Sequence, residues 1–403
     1  MKIQLASKST CTGCLACVDS CNEKAIQGHI HKDGHLYPQI DHDLCVKCGR
    51  CMKVCPVISR YDYQNIEANS QPYAVWANDE KIRYNGASGG FFGALAVHVL
   101  TNGGWVAGAS MEGLEVKHIL ISDIKELYKI QNSKYQQVDS SGIYKAVKEK
   151  LEQGDVVLFG GTSCQIAGLN CFLEKNQFQG KLYTVDMICS GFPSRKALNA
   201  LLRNEKDKIN TLIYRDKEDG WKAGQRLSVV IEGDREHRVK KVYRNDLIYA
   251  VFGTHYTHRS SCLRCPFTYA QRKVDITMGD FWGDTDFPEQ HEKGISLVIV
   301  HSGKGLELLR NSNISQHRSF WNKISLVNFR IVYGNFYTMP FHPARIFQNW
   351  IFNYCSYSTL MKIYRGERGN VCWSPYILYS KFLGLIEMII RKRIVKKKLQ
   401  KLH

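Results

Sequence analysis

No uncharged apolar run in this sequence is long enough to span a bilayer, and no apolar h-region follows Met1. Both features predict a cytoplasmic protein without an export signal or a membrane-spanning segment. A nucleic-acid-binding motif is missing too, so the formal net charge of +18 is not read as a nucleic-acid surface. No internal repeat occurs beyond one pair of cysteine quartets. The 403 residues allow a small domain plus one large or two medium ones, and a hydrophobic fraction of 44% suits an ordinary globular core.

What the chain does have is cysteine, fifteen in all. Without an export signal these thiols are read as metal ligands rather than disulfides. Cys11-x-x-Cys14-x-x-Cys17-x-x-x-Cys21 is followed by the same spacing at Cys45, Cys48, Cys51 and Cys55-Pro56. Three cysteines two residues apart wrap one face of an iron–sulfur cube, and the fourth reaches the other cube. Cys11, Cys14, Cys17 and Cys55 are therefore assigned to one [4Fe–4S] cluster, and Cys45, Cys48, Cys51 and Cys21 to a second. The stretch resembles a bacterial two-cluster ferredoxin, with Asn22 where the first half often has Pro. The alternatives are paired zinc sites, which favour two separated Cys pairs, and a disulfide framework, which needs an oxidising compartment. Such clusters carry single electrons and are anionic, so +18 overstates the real charge.

The predicted organisation is an α+β ferredoxin-like two-cluster domain over 1–60, a polar linker over 61–72, a larger α/β domain over 73–320, and a C-terminal extension over 321–403 that is aromatic and then basic. The large domain opens with a strand, Tyr73–Ala77, then the turn Asn85–Gly90 and a helix from Phe91 to Leu100. A glycine-rich turn feeding a helix leaves free N–H groups where a phosphate can sit; the alternative is a glycine turn for close packing. A strand near Trp105–Ser110, a polar span and a helix over Gly142–Gln153 follow. Val156–Phe159 reads as a buried parallel strand, and Leu182–Ile188 as the next, each leading through a loop into a helix. Ligands gather at the carboxyl ends of such strands, where Cys164 and Cys189 fall. Residues 210–260 read as strands with polar turns, and further strands cover Asp275–Met278 and Ile295–Val300. His301–Gly305 reads as an ordinary turn and cap. Cys171, Cys355 and Cys372 are read as small buried hydrophobes.

Cys164, Cys189, Cys262 and Cys265 are candidates for a third [4Fe–4S] site. From spacing alone, a lone zinc on the Cys262-x-x-Cys265 pair or unligated thiols stand equally. The blocks GASGG at 86–90, KYQQVDSSG at 134–142, VLFGGTSCQIAGL at 157–169, VDMICSGFPS at 185–194 and SCLRCPF…RKVDITMGDFWG at 261–283 resemble the coenzyme F420 hydrogenase/dehydrogenase beta-subunit family, in the form with an N-terminal ferredoxin domain. That resemblance covers roughly residues 5–310. It implies FAD, the third cluster on those four cysteines, and Ser88, Gly89 and Gly90 as part of the flavin site. Ser163 replaces the usual Pro of a G-T-P-C block, and Ser190 the usual His after the loop cysteine, which removes a proton donor beside the cluster. Asp280, Phe281 and Trp282 stand at a strand end as walls of the flavin pocket, with core packing as the alternative.

The expected function is an iron–sulfur flavoprotein oxidoreductase passing electrons between FAD and the ferredoxin clusters, because flavin joins two-electron substrates to one-electron carriers. Coenzyme F420 or another reducible organic molecule is the expected substrate, and a ferredoxin or redox enzyme the expected partner. The alternative is an electron-transfer subunit without its own substrate, serving a partner enzyme. In the tail, Phe382, Leu385, Ile386 and Ile389 share a helical face ahead of Arg391–Lys401. This suits peripheral contact with an anionic membrane, against a helix packed on the protein.

Overall fold

A computed structural model describes residues 2–65, 69–174, 177–202, 209–221, 226–232, 238–244, 252, 255, 257–282, 284–321, 323–324, 352–356 and 359–360. The tail helix expected over 376–403, Cys372 and most of the aromatic extension lie outside these residues. Among the described residues no helix is long and apolar enough to cross a membrane.

The N-terminal unit consists of α1 (Ala16–Asp19), the antiparallel hairpin β1 (Ile26–Ile30) and β2 (Leu36–Ile40), and α2 (Arg50–Lys53). The larger unit follows in chain order as β3 (Gln71–Ala77), α3 (Glu80–Asn85), α4 (Phe91–Thr101), β4 (Trp105–Glu112), β5 (Glu115–Ile121), α5 (Leu127–Ile130), α6 (Ile143–Glu152), β6 (Val156–Thr162), α7 (Ser163–Leu173), β7 (Lys181–Met187) and α8 (Arg195–Leu201). After β8 (Ile209–Ile213), β9 (Arg226–Glu232) and β10 (Arg238–Arg244), the chain returns through β11 (Ile276–Asp280), β12 (Ser296–Val300), α9 (Gly303–Asn311) and β13 (Ile314–Arg318).

Eight strands form one sheet in the order β13-β3-β12-β11-β7-β6-β4-β5, and β8, β9 and β10 form a separate antiparallel sheet. Parallel pairing is confined to β4, β6, β7 and β11. Antiparallel strands flank this block on both sides. The middle strands are apolar on both faces because both are covered. Leu158 of β6 joins Leu95, Val99 and Leu308 beneath α4 and α9. Its neighbours Val157 and Phe159 face the other way, onto Val147, Leu151, Ile166 and Leu169 of α6 and α7. Each such fully buried side chain stabilises the fold by about 1.5–3 kcal/mol relative to exposure.

That second core layer continues into the N-terminal unit through Cys14, Ala16 and Val54. The Asp19 carboxylate accepts from the backbone N–H of Gly142 at 2.6 Å and of Tyr144 at 2.9 Å, capping α6 from outside its own unit. Burial raises the Asp19 pKa, and these N–H donors oppose the rise. Tyr144 donates from its hydroxyl to the Cys14 carbonyl at 2.7 Å.

Three features differ from the sequence expectation. The polar span after β4 contains β5, whose Val116 and His118 are buried while Glu115 and Lys117 are exposed. This is a half-buried edge strand, too short for its alternation to stand out. The sheet ends in a strand the sequence reading did not place, β13, which pairs antiparallel with β3 at the far edge. The segment 61–72 is not a free linker: Tyr63 is fully buried and donates to Asp186 Oδ2 at 3.1 Å, and Gln71 and Pro72 already pair in β3.

Candidate metal centres

Both cysteine triplets use the same backbone. Gly13 and Leu15 have φ of 71° and 65°, and the equivalent Lys47 and Gly49 have 59° and 81°. Left-handed residues at these two positions curl each loop so that three sulfurs face one point. Leu15 and Lys47 adopt the conformation at a cost that the surrounding structure must offset. Helices α1 and α2 start immediately after, carrying Cys17 and Cys51. Cys11, Cys14, Cys17 and Cys55 line one pocket, together with Leu5, Leu15, Pro38 and Val57. Cys21, Cys45, Cys48 and Cys51 line another, of about 760 Å³ counted out into open solvent. Cys55 thus lines the pocket of the first triplet, and Cys21 that of the second.

The third quartet is assembled by the sheet. The carboxyl ends of β6 and β7 lie side by side, with Thr162 opposite Met187. Thr162 caps α7 in a reciprocal capping box with Gln165 and so fixes Cys164 in the first turn. Beyond β7, Gly191 has φ of 102°, and a Cβ there would lie 2.8 Å from Cys262 Cβ. Only glycine lets the Cys189 loop approach the Cys262–Cys265 turn this closely. Cys164, Cys189, Cys262 and Cys265 line a single pocket with Thr12, Phe192 and Thr268. The Gly191 N–H points at Cys189 Sγ from 3.3 Å, and Thr162 Oγ1 lies 3.2 Å from Cys164 Sγ.

The donor sets fit iron–sulfur cores, which are positive before their thiolates are counted. Burial, then the proximity of Cys262, pushes the Cys164 thiol up to about 11. Burial likewise raises Cys14, Cys17, Cys51, Cys55 and Cys265, and neighbouring cysteines add to the rise. Crowded, desolvated sulfurs of this kind would ionise only around a positive core, which an iron–sulfur cluster supplies. Among the described residues no three His, Cys, Asp or Glu side chains converge closely enough for one metal ion; the quartets surround a volume. Thr12 lines both the third pocket and the Cys11 pocket. Gly168 of α7 lies against Cys14, where a Cβ would stand 3.0 Å from Sγ.

A family described as "4Fe-4S dicluster domain" matches residues 10–58. A second family, the C terminus of the coenzyme F420 hydrogenase/dehydrogenase beta subunit, matches residues 154–319. The chain joins these two domains. It is an iron–sulfur electron-transfer protein related to F420 hydrogenase beta subunits. Among solved structures, a chain of the F420-reducing [NiFe] hydrogenase complex from Methanosarcina barkeri is similar at 14% identity, covering 68% of this chain and 92% of that one, with a TM-score of 0.42. No curated protein matches.

In this beta-subunit relative, the residues expected at a flavin fall into one neighbourhood, bridged by two cations absent from the sequence expectation. Ser88 Oγ pairs with Ser296 Oγ at 2.9 Å, and the Ser88 carbonyl accepts from Lys217 Nζ at 2.6 Å. Lys217 also donates to the Lys293 carbonyl at 3.2 Å. Burial, then Arg83 and Arg215 nearby, pulls its ammonium down to about 7. Arg215 donates to Asp280 Oδ2 at 2.7 Å, and its guanidinium lies 5.3 Å from the Trp282 ring centroid. Burial lowers the Arg215 pKa, but Asp280 and Tyr135 outweigh it and hold the guanidinium above its ordinary value. Trp282, 38% exposed, stacks on the buried Trp221 with ring centroids 4.3 Å apart. Among the described residues, Arg215 Nη2 and Trp221 Nε1 are buried without a hydrogen-bond partner, a donor surplus that suits an anionic group.

The glycine turn itself follows its close-packing alternative. The Gly89 N–H donates to Ser296 Oγ at 3.1 Å, and a Cβ on Gly89 would lie 2.4 Å from the Val75 carbonyl oxygen. Gly90 has φ of 76°, and a Cβ there would meet Arg83 Cα at 2.6 Å. Phe281 packs into the core with Ala74, Trp76 and Leu297 rather than walling a pocket. Cys171 and Cys355 are half-buried rather than fully buried. Ser302 caps α9, accepting from the Gly305 N–H at 3.0 Å, as an ordinary turn and cap requires. Lys217 and Arg215 carried no signal in sequence, because single basic residues near a strand end read as solvated.

Proposed function

We propose that the protein exchanges electrons between a two-electron site on the α/β domain and a redox partner that docks at the open Cys45–Cys51 quartet. The observation that carries this reading is the succession of three cysteine-lined pockets, with Thr12 on both of the inner two. A flavin supplies two-electron exchange with an organic molecule, and [4Fe–4S] clusters supply single-electron transfer. Cys164, Cys189, Cys262 and Cys265 would hold the cluster nearest the flavin; Cys11, Cys14, Cys17 and Cys55 the next; Cys21, Cys45, Cys48 and Cys51 the outermost. FAD would be held near Ser88, Lys217, Arg215, Asp280 and Trp282. There the buried cations and the unpartnered Arg215 Nη2 favour phosphate, and the exposed Trp282 offers an aromatic wall. The substrate class is coenzyme F420 or another reducible organic molecule.

Anaerobically prepared protein should carry about twelve irons, four for each of three clusters. Exchange of Cys262 and Cys265 for Ser should lower this to about eight, with the ferredoxin-type spectrum kept and reduction of those clusters from the flavin side lost. About eight irons in the unaltered protein would remove the third cluster. The second reading is an electron-transfer subunit without its own substrate. It draws on the Gly86–Gly90 turn, whose Gly89 N–H is already satisfied within the protein. Purified protein with full clusters, no flavin and no turnover with F420 or small organic acceptors would favour it.

A further inference from the structure

Arg259 is fully buried, and among the described residues no carboxylate pairs with it. Its Nε donates to the Cys11 carbonyl at 2.7 Å, and Nη1 donates to the Leu36 carbonyl at 2.7 Å and to Gln137 Oε1 at 3.2 Å. Nη2 points at Cys11 Sγ from 3.3 Å. The guanidinium carbon lies 3.8 Å from the centroid of the Tyr37 ring. Its acceptors are thus three neutral oxygens and one sulfur. A guanidinium cannot shed its charge in a protein and is buried only where something compensates it. The side chain is held by the α/β unit: the Arg259 N–H donates to the Phe192 carbonyl at 3.1 Å, and three residues later stands Cys262 of the third quartet. Room for it is kept by Gly13, where a Cβ would lie 2.9 Å from Nη1.

We propose that Arg259 is the internal counter-ion of the cluster held by Cys11, Cys14, Cys17 and Cys55, a positioning residue that raises that cluster's reduction potential. A [4Fe–4S] core with four thiolates is anionic and gains one more negative charge when it takes an electron. A fixed cation hydrogen-bonded to a ligand sulfur stabilises the reduced form more than the oxidised form. The ligand sulfur that Arg259 Nη2 points at belongs to the Cys11 quartet, so the lift is assigned to that side. Arg259 therefore biases a single electron to leave the third quartet, which is oxidised, and to rest on the Cys11 quartet, which is reduced. The direct contact rests on the Cys11 assignment alone; the bias rests also on the third cluster.

The test is an anaerobic redox titration of the full chain followed by electron paramagnetic resonance, comparing the unaltered protein with Arg259→Gln and Arg259→Lys. In Arg259→Gln one midpoint should fall, while that of the Cys21/Cys45/Cys48/Cys51 cluster stays unchanged. Arg259→Lys should recover part of the fall. An iron-loaded Arg259→Gln protein with every midpoint unchanged overturns the proposal. A measurement on the unaltered chain guards against misfolded variants. Protein grown with guanidino-¹⁵N-arginine and reduced should give a ¹⁵N coupling to one cluster by electron–nuclear double resonance. Absence of that coupling overturns the proposal as well. An iron count of about eight with the ¹⁵N coupling present would remove the third cluster and its bias, and leave the counter-ion role of Arg259 standing.

Discussion

The two quartets of the N-terminal unit share spacing and backbone and differ in surroundings. Cys11, Cys14 and Cys17 are buried, whereas Cys48 is exposed and Cys45 half-buried. The first loop carries Leu15 where the second has Gly49, and Leu15 is 1% exposed. Leu15 covers its own site. Leu44 and Val46, 52% and 63% exposed, leave the other site open. One motif thus supplies two sites: an interior one enclosed by the α/β unit and an outer one that a partner can approach. Enclosure, not ligand chemistry, separates them.

That contrast is most directly broken by chemical attack. Under limited ferricyanide with a chelator, the Cys21/Cys45/Cys48/Cys51 site should lose its iron first. About four irons should go before the enclosed sites begin to bleach. Simultaneous loss from all sites, read by iron count and electron paramagnetic resonance, would show that the enclosure does not protect.

The next largest effect concerns a buried ion pair that ties Tyr63, just beyond the N-terminal unit, to the α/β unit. Asp186 and Arg272 form a fully buried ion pair at 2.9 Å, with Ser163 and Tyr63 donating to the same carboxylate oxygen. Asp186→Asn leaves a buried guanidinium without its counter-charge and should cost about 3–5 kcal/mol. Denaturant unfolding followed by circular dichroism checks this; a loss under about 1 kcal/mol would make the pair incidental.

A smaller effect comes from acid. Burial pulls both His118 and His301 down to about 4. Unfolded histidine titrates near 6.5, so between about 6.5 and 4 the unfolded chain binds protons that the folded one refuses. The contribution of these two histidines should be flat above about pH 7 and fall as pH drops through this window. Each histidine should contribute up to about 1.4 kcal/mol per pH unit. His118→Gln should flatten the slope by roughly half.

The ferredoxin unit was legible because its ligands lie within a few residues of one another, where spacing is geometry. Neighbouring βα loops were legible for Cys164 and Cys189, since Val156–Phe159 and Leu182–Ile188 read as consecutive buried strands. The arrival of Cys262 and Cys265 at that edge was not, because long-range placement leaves no local period. Their grouping entered only through family resemblance. Arg259 was overlooked although it stands three residues before Cys262. Asp186 carried a usable signal, as a carboxylate well inside a buried strand means burial with a partner. Edge strands β5 and β13 escaped because half their residues face water.

Cys11 meets Arg259 and Ser261 only after 248 and 250 further positions of chain. Biosynthesis therefore has an order written into it. While the ribosome is still making the α/β unit, the Cys11 site lacks its arginine, its α6 contact and its apolar cover, and carrier proteins can reach it. Once the chain is complete and docked, Arg259 and Ser261 stand over Cys11, so a cluster assembled there would have to be loaded before the two units close or after they part. The outer site has no such deadline and can be repaired in the finished protein.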